Sequence, residues 1–265
     1  MSVYLDNAAT TAVAPEVLEA MIPVLRDYYG NPSSSHSIGR KSRVIIEQSR
    51  RFIAGHIGCH PRTIYFTSGG TEADNLALRS AVRDLGCQRI ITSAAEHSAV
   101  IKTAESLQRT SGIQLELVRH LEDGVIDYAH LEELLANGPK TLVSLMHANN
   151  EVAVVQDLER IGQLCRANQA LFHTDTVQTM CHYRFDLRSL PVDFITCSAH
   201  KFHGPKGIGF LYIAQGLKVG GQIEGGSQER AVRGGTENIH SIVGLSRAMD
   251  LAYGDLENTN SIFGR

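Results

Sequence analysis

From residue 15 onward the hydrophobic positions follow two alternating rhythms. Val17, Leu18, Met21, Val24, Leu25 and Tyr28 recur at helical spacing, Pro15 suits a first helical turn, and Gly30 and Pro32 break the run. GNPSSSHS reads as a loop, after which a second amphipathic stretch carrying Val44, Ile45, Phe52, Ile53 and Ile57 stops near Gly58. Short, mostly apolar runs then appear at 64–67, 89–93, 114–120, 141–147, 171–175, 193–199 and 207–213, and helical stretches at 72–85, 98–111 and 157–168 separate several of them. Strands that are apolar throughout need cover on both faces. The pattern therefore predicts an α/β fold, a largely parallel mixed sheet with helices on both faces. No repeat or linker interrupts 15–250, which reads as one domain.

Composition narrows the function. A chain of 265 residues with 43% hydrophobic and 20% charged residues and 24 glycines is an ordinary globular enzyme in its statistics. A net charge of -3 without a long basic run argues against nucleic-acid binding. The first twenty residues lack a signal-peptide pattern and no apolar run reaches the roughly 20 residues a bilayer crossing needs, so the cytosol is the expected location. Cys59, Cys87, Cys165, Cys181 and Cys197 are scattered without C-x-x-C spacing, as neither a disulfide framework nor a zinc site would be.

In such sheets ligands gather at the carboxyl ends of the strands, so the residues following each strand carry the candidate chemistry. After Thr67 the turn Ser68-Gly69-Gly70-Thr71 opens directly into a helix, where free amides and the helix dipole can cradle an anion, although a Gly-Gly turn with a Thr cap is also a common helix start. Asp175 ends an apolar strand, where a carboxylate needs a cation or donors; an ordinary cap or salt bridge would serve as well. Lys201 follows another buried strand, where desolvation lowers an amine's pKa and frees it for Schiff-base chemistry. His97 follows 89–93 and could stack on an aromatic ring or simply start a helix, while Asn150 and Gln178 sit beside strand ends with hydrogen-bonding capacity.

Together the segments YLDNAATT (4–11), YGNPSSSH (29–36), FTSGGTEADNLA (66–77), EHSAV (96–100), SLMHANNEVAVVQ (144–156), HTDTVQ (173–178), CSAHKFHGPKGIGFLYI (197–213) and RGGTEN (233–238) resemble the cysteine desulfurases. These are a branch of the fold type I pyridoxal-phosphate (PLP) enzymes. The resemblance covers about residues 3–250 and implies the large domain of that fold. It implies that Lys201 binds PLP and moves the substrate's α-proton, Asp175 pairs with the pyridine nitrogen, and Gln178 and Asn150 face the ring hydroxyl. It implies further that His97 stacks on the ring, that Gly70, Thr71, Ser198 and His200 hold the phosphate, and that Thr236 reaches the phosphate of a neighbouring subunit in a homodimer. The implied reaction turns L-cysteine into L-alanine and passes sulfur, as a persulfide, to an acceptor or iron-sulfur scaffold protein. A selenocysteine lyase or other carbon-sulfur lyase of the same branch, and a non-catalytic dimerising or scaffold-binding chain, are the alternatives.

The sequence departs from the family at the nucleophile, because none of the five cysteines falls in a matching motif. In the family that cysteine, with an arginine for the substrate carboxylate, lies in a C-terminal small domain. The expected organisation is therefore an arm at 1–14 belonging with that small domain, the PLP-binding domain at 15–250, and at 251–265 the start of a helix leading to a domain lost by truncation.

Overall fold

The computed structural model describes residues 3–258, and the final stretch TNSIFGR, read above as part of the linker, lies outside the described residues. Seven strands form one sheet: β1 (Ile64–Thr67), β2 (Arg89–Ser93), β3 (Gln114–Val118), β4 (Thr141–Ser144), β5 (Leu171–Asp175), β6 (Phe194–Ser198) and β7 (Gly209–Ile213). Their order is β1-β7-β6-β5-β4-β2-β3, and β7 is antiparallel to both its neighbours while the other pairs are parallel. The carboxyl ends of β1, β2, β4, β5 and β6 therefore share one edge, and β7 begins there.

Among the described residues seven bounded α-helices accompany the strands: α1 (Pro15–Asp27), α2 (Ser37–His56), α3 (Gly70–Arg83), α4 (Ser98–Ser111), α5 (Tyr128–Ala136), α6 (Leu158–Ala167) and α7 (Ile239–Gly254). Alternate side chains of the strands feed two separate cores. Ile91, Val143, Phe172, Ile195 and Phe210 point into one with α1, α2, α5, α6 and α7, whereas Ile90, Leu142, Phe194 and Leu211 point into the other with α3 and α4. This two-sided burial is why the strand segments read as continuous apolar runs. The exception is β3, an edge strand with most of its side chains at least partly in solvent.

Several sequence expectations shift in detail. Strands expected to run on to 120 and 147 stop at Val118 and Ser144, where the chain leaves the ladder to build loops. The helix expected at 72–85 occupies 70–83, because Gly69 can adopt a φ of 150° and let the turn begin at Gly70. Helix α5 went unread, yet its signal is present: Asp127 accepts a hydrogen bond from His130 N at 3.1 Å, and Leu131 and Leu135 bury one face. Helix α7 begins at Ile239, well before the tail segment noticed in the sequence, and packs on α1 and α2. No helix among the described residues is long and apolar enough to cross a membrane.

Candidate functional site

The shared strand edge is built to bring backbone close to a ligand. Between β1 and α3, Gly69 has no side-chain cap to offer, so the first amides of α3 face outward without an intrahelical acceptor. A Cβ on Gly70 would lie 2.8 Å from Val177 Cγ2, and one on Gly209 would lie 2.2 Å from Cys197 O and 3.0 Å from Gly69 Cα. Only glycine lets this turn settle against the ends of β6 and β7. Glu72 fixes it from within α3, accepting from Ser68 N at 2.9 Å and from Arg233 Nε at 3.0 Å.

Around this turn lies a cavity of about 210 Å³ lined by Gly70, Thr71, His97, Asn150, Asp175, Gln178, Ser198, His200 and Lys201, all singled out in the sequence. Thr236 is not among them: it is exposed, on a segment that Arg233 ties to the outer side of the turn, so within one chain it does not reach this cavity. Ala9, Asp74, Met146 and Val177 complete the lining and were given no role from the sequence. Asp74 carried a readable signal, an acid among the apolar positions of an amphipathic helix. The arm before α1 gave no comparable sign. It crosses the cavity mouth, with Thr11 N donating to His200 O at 2.9 Å and Ala14 N to His203 O at 3.0 Å. Ala8 O accepts from Gln178 Nε2 at 3.1 Å and from Lys201 Nζ.

The charges in the cavity are poorly compensated. Asp175 is 5% exposed and Asp74 1%. Burial, then the neighbouring Asp74, pushes the Asp175 carboxyl up against the opposing hydrogen bond from Val177 N at 2.8 Å and the pull of His173 and His97. Asp74 is likewise pushed up by burial, with a hydrogen bond from Thr196 as a partial counterweight, and its Oδ1 has no hydrogen-bond partner. Nearby, Glu96 gives Oε1 to Met146 N at 2.6 Å but leaves Oε2 unpartnered, and burial raises its pKa well above the ordinary value. Lys201 has its pKa lowered by burial, opposed by Asp175 and Asp6.

His97 is both things the sequence allowed, a helix N-cap and a cavity wall. Its Nδ1 accepts from Ala99 N at 3.2 Å, which leaves Nε2 as the protonated nitrogen of the neutral ring. Donor atoms of Asp74, His97 and Asp175 lie within 4.8 Å of one another. With Nδ1 taken by the Ala99 amide, the imidazole in this tautomer has no free lone pair to give a metal ion. Asn150 Nδ2 donates to Glu151 Oε1 at 2.6 Å, so it must exchange this bond to serve a ligand.

None of the five cysteines lines the cavity. Burial pushes every thiol pKa up, to about 11 for Cys59 and Cys87 and upward also for Cys165, Cys181 and Cys197, which suppresses the thiolate form.

Comparison with known proteins places this geometry. Cysteine desulfurase IscS of Methanosarcina thermophila is 42% identical over 262 residues, covering 98% of this chain and 64% of that protein. The putative cysteine desulfurase IscS 1 of Bacillus subtilis is also 42% identical, covering 97% and 68% respectively. The chain thus spans about two thirds of the length of these curated relatives. Among solved structures, a NifS-like protein superposes with a TM-score of 0.94 at 40% identity, covering 98% of this chain and 72% of that one. SspA, solved in complex with cysteine, gives 0.87 at 38% identity, covering 94% and 72%. Residues 3–261 match the family described as Aminotransferase class-V. With the fold, the glycine turn and the strand-end cavity all in agreement, this chain belongs to the aminotransferase class-V family.

Proposed function

We propose that this chain is the cofactor-binding part of a PLP-dependent cysteine desulfurase. The observation that carries the reading is the meeting of Asp175 and Lys201, from the ends of adjacent strands, in one cavity whose edge is the bare N-terminus of α3. A buried carboxyl with a raised pKa beside an unpartnered Asp74 oxygen is a site short of one cation or N–H donor, and a pyridinium supplies both.

In this reading Gly70, Thr71, Ser198 and His200 bind the phosphate, Asp175 Oδ atoms face the ring nitrogen, and Gln178 and Asn150 orient the ring hydroxyl. His97 covers the ring face. PLP, when bound, supplies an electron-withdrawing ring that accepts the charge left on the substrate's α-carbon. Lys201 Nζ holds the cofactor and then carries the α-proton, a task suited to an amine whose burial favours its neutral form. The arm at 4–11 shields the amine from water through Ala8 O and Ala9.

The substrate is L-cysteine and the product L-alanine. The substrate's C–S bond breaks as an S–S bond forms to an acceptor thiolate, whose proton balance is completed by protonation of the departing carbon. In this reading none of the five cysteines here supplies that thiolate, which comes instead from a C-terminal small domain of the kind the resemblance implies. Thr236 serves the phosphate site of the second subunit in a homodimer, and the persulfide sulfur goes to an acceptor or iron-sulfur scaffold protein in the cytoplasm.

The test is optical and chemical. Chain purified with PLP should acquire a visible absorbance that Lys201→Ala loses, and with an added thiol acceptor it should release alanine from cysteine. A colourless wild-type chain in excess PLP refutes the reading.

A further inference from the structure

Two nearly buried carboxyls, Asp74 on α3 and Asp175 at the end of β5, face one cavity with oxygens inside 4.8 Å of each other. Like charges that close, both cut off from water, do not ionise together, so the pair keeps one proton in the cofactor-free chain. Repulsion raises whichever carboxyl ionises second, so the push of Asp74 on Asp175 described above acts equally in the other direction, and which of the two keeps the proton follows from their partners. Asp175 Oδ1 accepts the Val177 amide at 2.8 Å, and Lys201 lines the same cavity, so its negative charge is supported. Asp74 Oδ1 has no donor at all: it stands 3.5 Å from His173 Nε2 without a hydrogen bond. His173 is no cation, since burial holds its pKa down to about 4. A consistent proton arrangement runs from Ser144 Oγ to His173 Nδ1 at 2.8 Å, from His173 Nε2 to Thr196 Oγ1 at 3.1 Å, and from Thr196 to Asp74. It ends on a carboxyl that accepts on one oxygen and is free to carry hydrogen on the other.

We propose that Asp74 holds the proton shared by these two carboxyls and is thereby a positioning residue that keeps Asp175 the anion of the pair. The other titratable groups around it are Glu96 and His97 at the start of α4, His173 on β5 and Lys201 after β6. Glu96, beside the cavity and outside its lining, is itself driven toward its neutral form, so the cavity presents one carboxylate, not two, to an incoming cationic ring. Ring recognition rests on the functional reading above; the protonation of Asp74 does not.

The experiment separates the two. In the cofactor-free chain, urea unfolding is followed from pH 4 to 8 for wild type and Asp74→Asn. A carboxyl raised from 3.8 to about 7 on folding binds its proton more tightly in the folded state. Its contribution is therefore complete below pH 4 and is lost as pH climbs toward 7. The wild-type midpoint should fall relative to that of Asp74→Asn across this window; a constant difference overturns the proposal. Should Asp74→Asn fail to fold, Asp175→Asn takes its place. With the neighbouring charge gone, the remaining fall should move to lower pH, and an unmoved fall overturns the coupling. In PLP-loaded protein, Asp74→Ala should lose cofactor at least tenfold faster than wild type, as read by its visible absorbance, and the neutral isostere Asp74→Asn should recover most of that retention. Equal loss in both means that charge on Asp74 is required, which refutes its role as the neutral member. Failure of wild type to take up colour sinks the functional reading and leaves the urea result standing.

Discussion

Two buried charge clusters sit within this one domain and are finished to different degrees. Beneath the segment 227–236, Arg50 and Glu229 form a bidentate pair at 2.8 and 2.6 Å, both almost fully buried. Arg50 also donates to Ile64 O at 2.7 Å, and Glu229 Oε2 accepts Phe66 N at 2.9 Å. Burial alone would lower the arginine's pKa, yet Glu229 and Glu47 outweigh it and leave it raised. In and beside the strand-end cavity, by contrast, Asp74, Asp175 and the neighbouring Glu96 are all pushed toward neutrality, and Asp74 and Glu96 carry orphaned oxygens. The Arg50–Glu229 pair has both its charges compensated and is structural, even though Arg230 Nε and Glu237 Oε2 beside it lack partners, whereas the carboxyls of the strand-end cavity are themselves left open for a ligand. The compensated pair also explains a strained backbone: Glu229, Arg230 and Ala231 all hold positive φ, at 43, 57 and 62°, and the ion pair together with Arg230 stacked 4.0 Å over Tyr65 pins them there.

The contrast breaks first at Arg50. Arg50→Ala strands the Glu229 carboxylate in a dry site and should cost about 3–5 kcal/mol of unfolding free energy in urea. Asp175→Ala, which removes a carboxyl that one backbone amide compensates only in part in the cofactor-free chain, should cost far less or even stabilise. Similar losses from the two would erase the distinction. Next in size is Gly70→Ala, whose Cβ meets Val177 Cγ2 at 2.8 Å. It should destabilise by about 1–3 kcal/mol and at the same time reduce PLP retention, since the turn must shift away from the sheet end.

The smallest effect sharpens the comparison at an intermediate site. Burial would push the Glu72 carboxyl up, but hydrogen bonds from Arg233 and Ser68 prevail and leave it lowered. A lowered carboxyl stabilises above its unfolded value of about 4.5, and that contribution is lost as pH falls through the folded value. Because the pair is partly exposed, Glu72→Gln should cost no more than about 1 kcal/mol at pH 7, with the difference from wild type shrinking below pH 4.

Much of this arrangement was legible in the sequence, for specific reasons. Strands β2, β4, β5 and β6 are buried on both faces, so their apolar runs stand out, and the residues just beyond them had to lie on one edge once the sheet was parallel. Asp175 ends β5, and Lys201 and His97 come shortly after β6 and β2, and these were found on that logic, whereas Ser198 at the end of β6 was reached only through the family resemblance. Asp74 was passed over although it shares a helix face with Ala77, Leu78 and Ala81, because an acid on a helix is ordinarily solvated and its burial depends on α4 and the sheet closing over that face. The arm residues Ala8 and Ala9 have no polar side chain to advertise a role. Their contribution is a carbonyl and a surface, which no composition or spacing encodes.

The sequence by itself determined the layered α/β architecture, the glycine turn at α3 and the strand-end residues, because periodicity and chain punctuation are local properties of the polypeptide. Only the tertiary structure decided that two carboxyls from elements a hundred residues apart share one cavity, that the arm before α1 crosses its mouth, and that the five thiols lie away from it. Those features depend on which surfaces meet and how much water is removed when they do. Desolvation and proximity set the charge of a buried acid, and neither exists until the chain has closed.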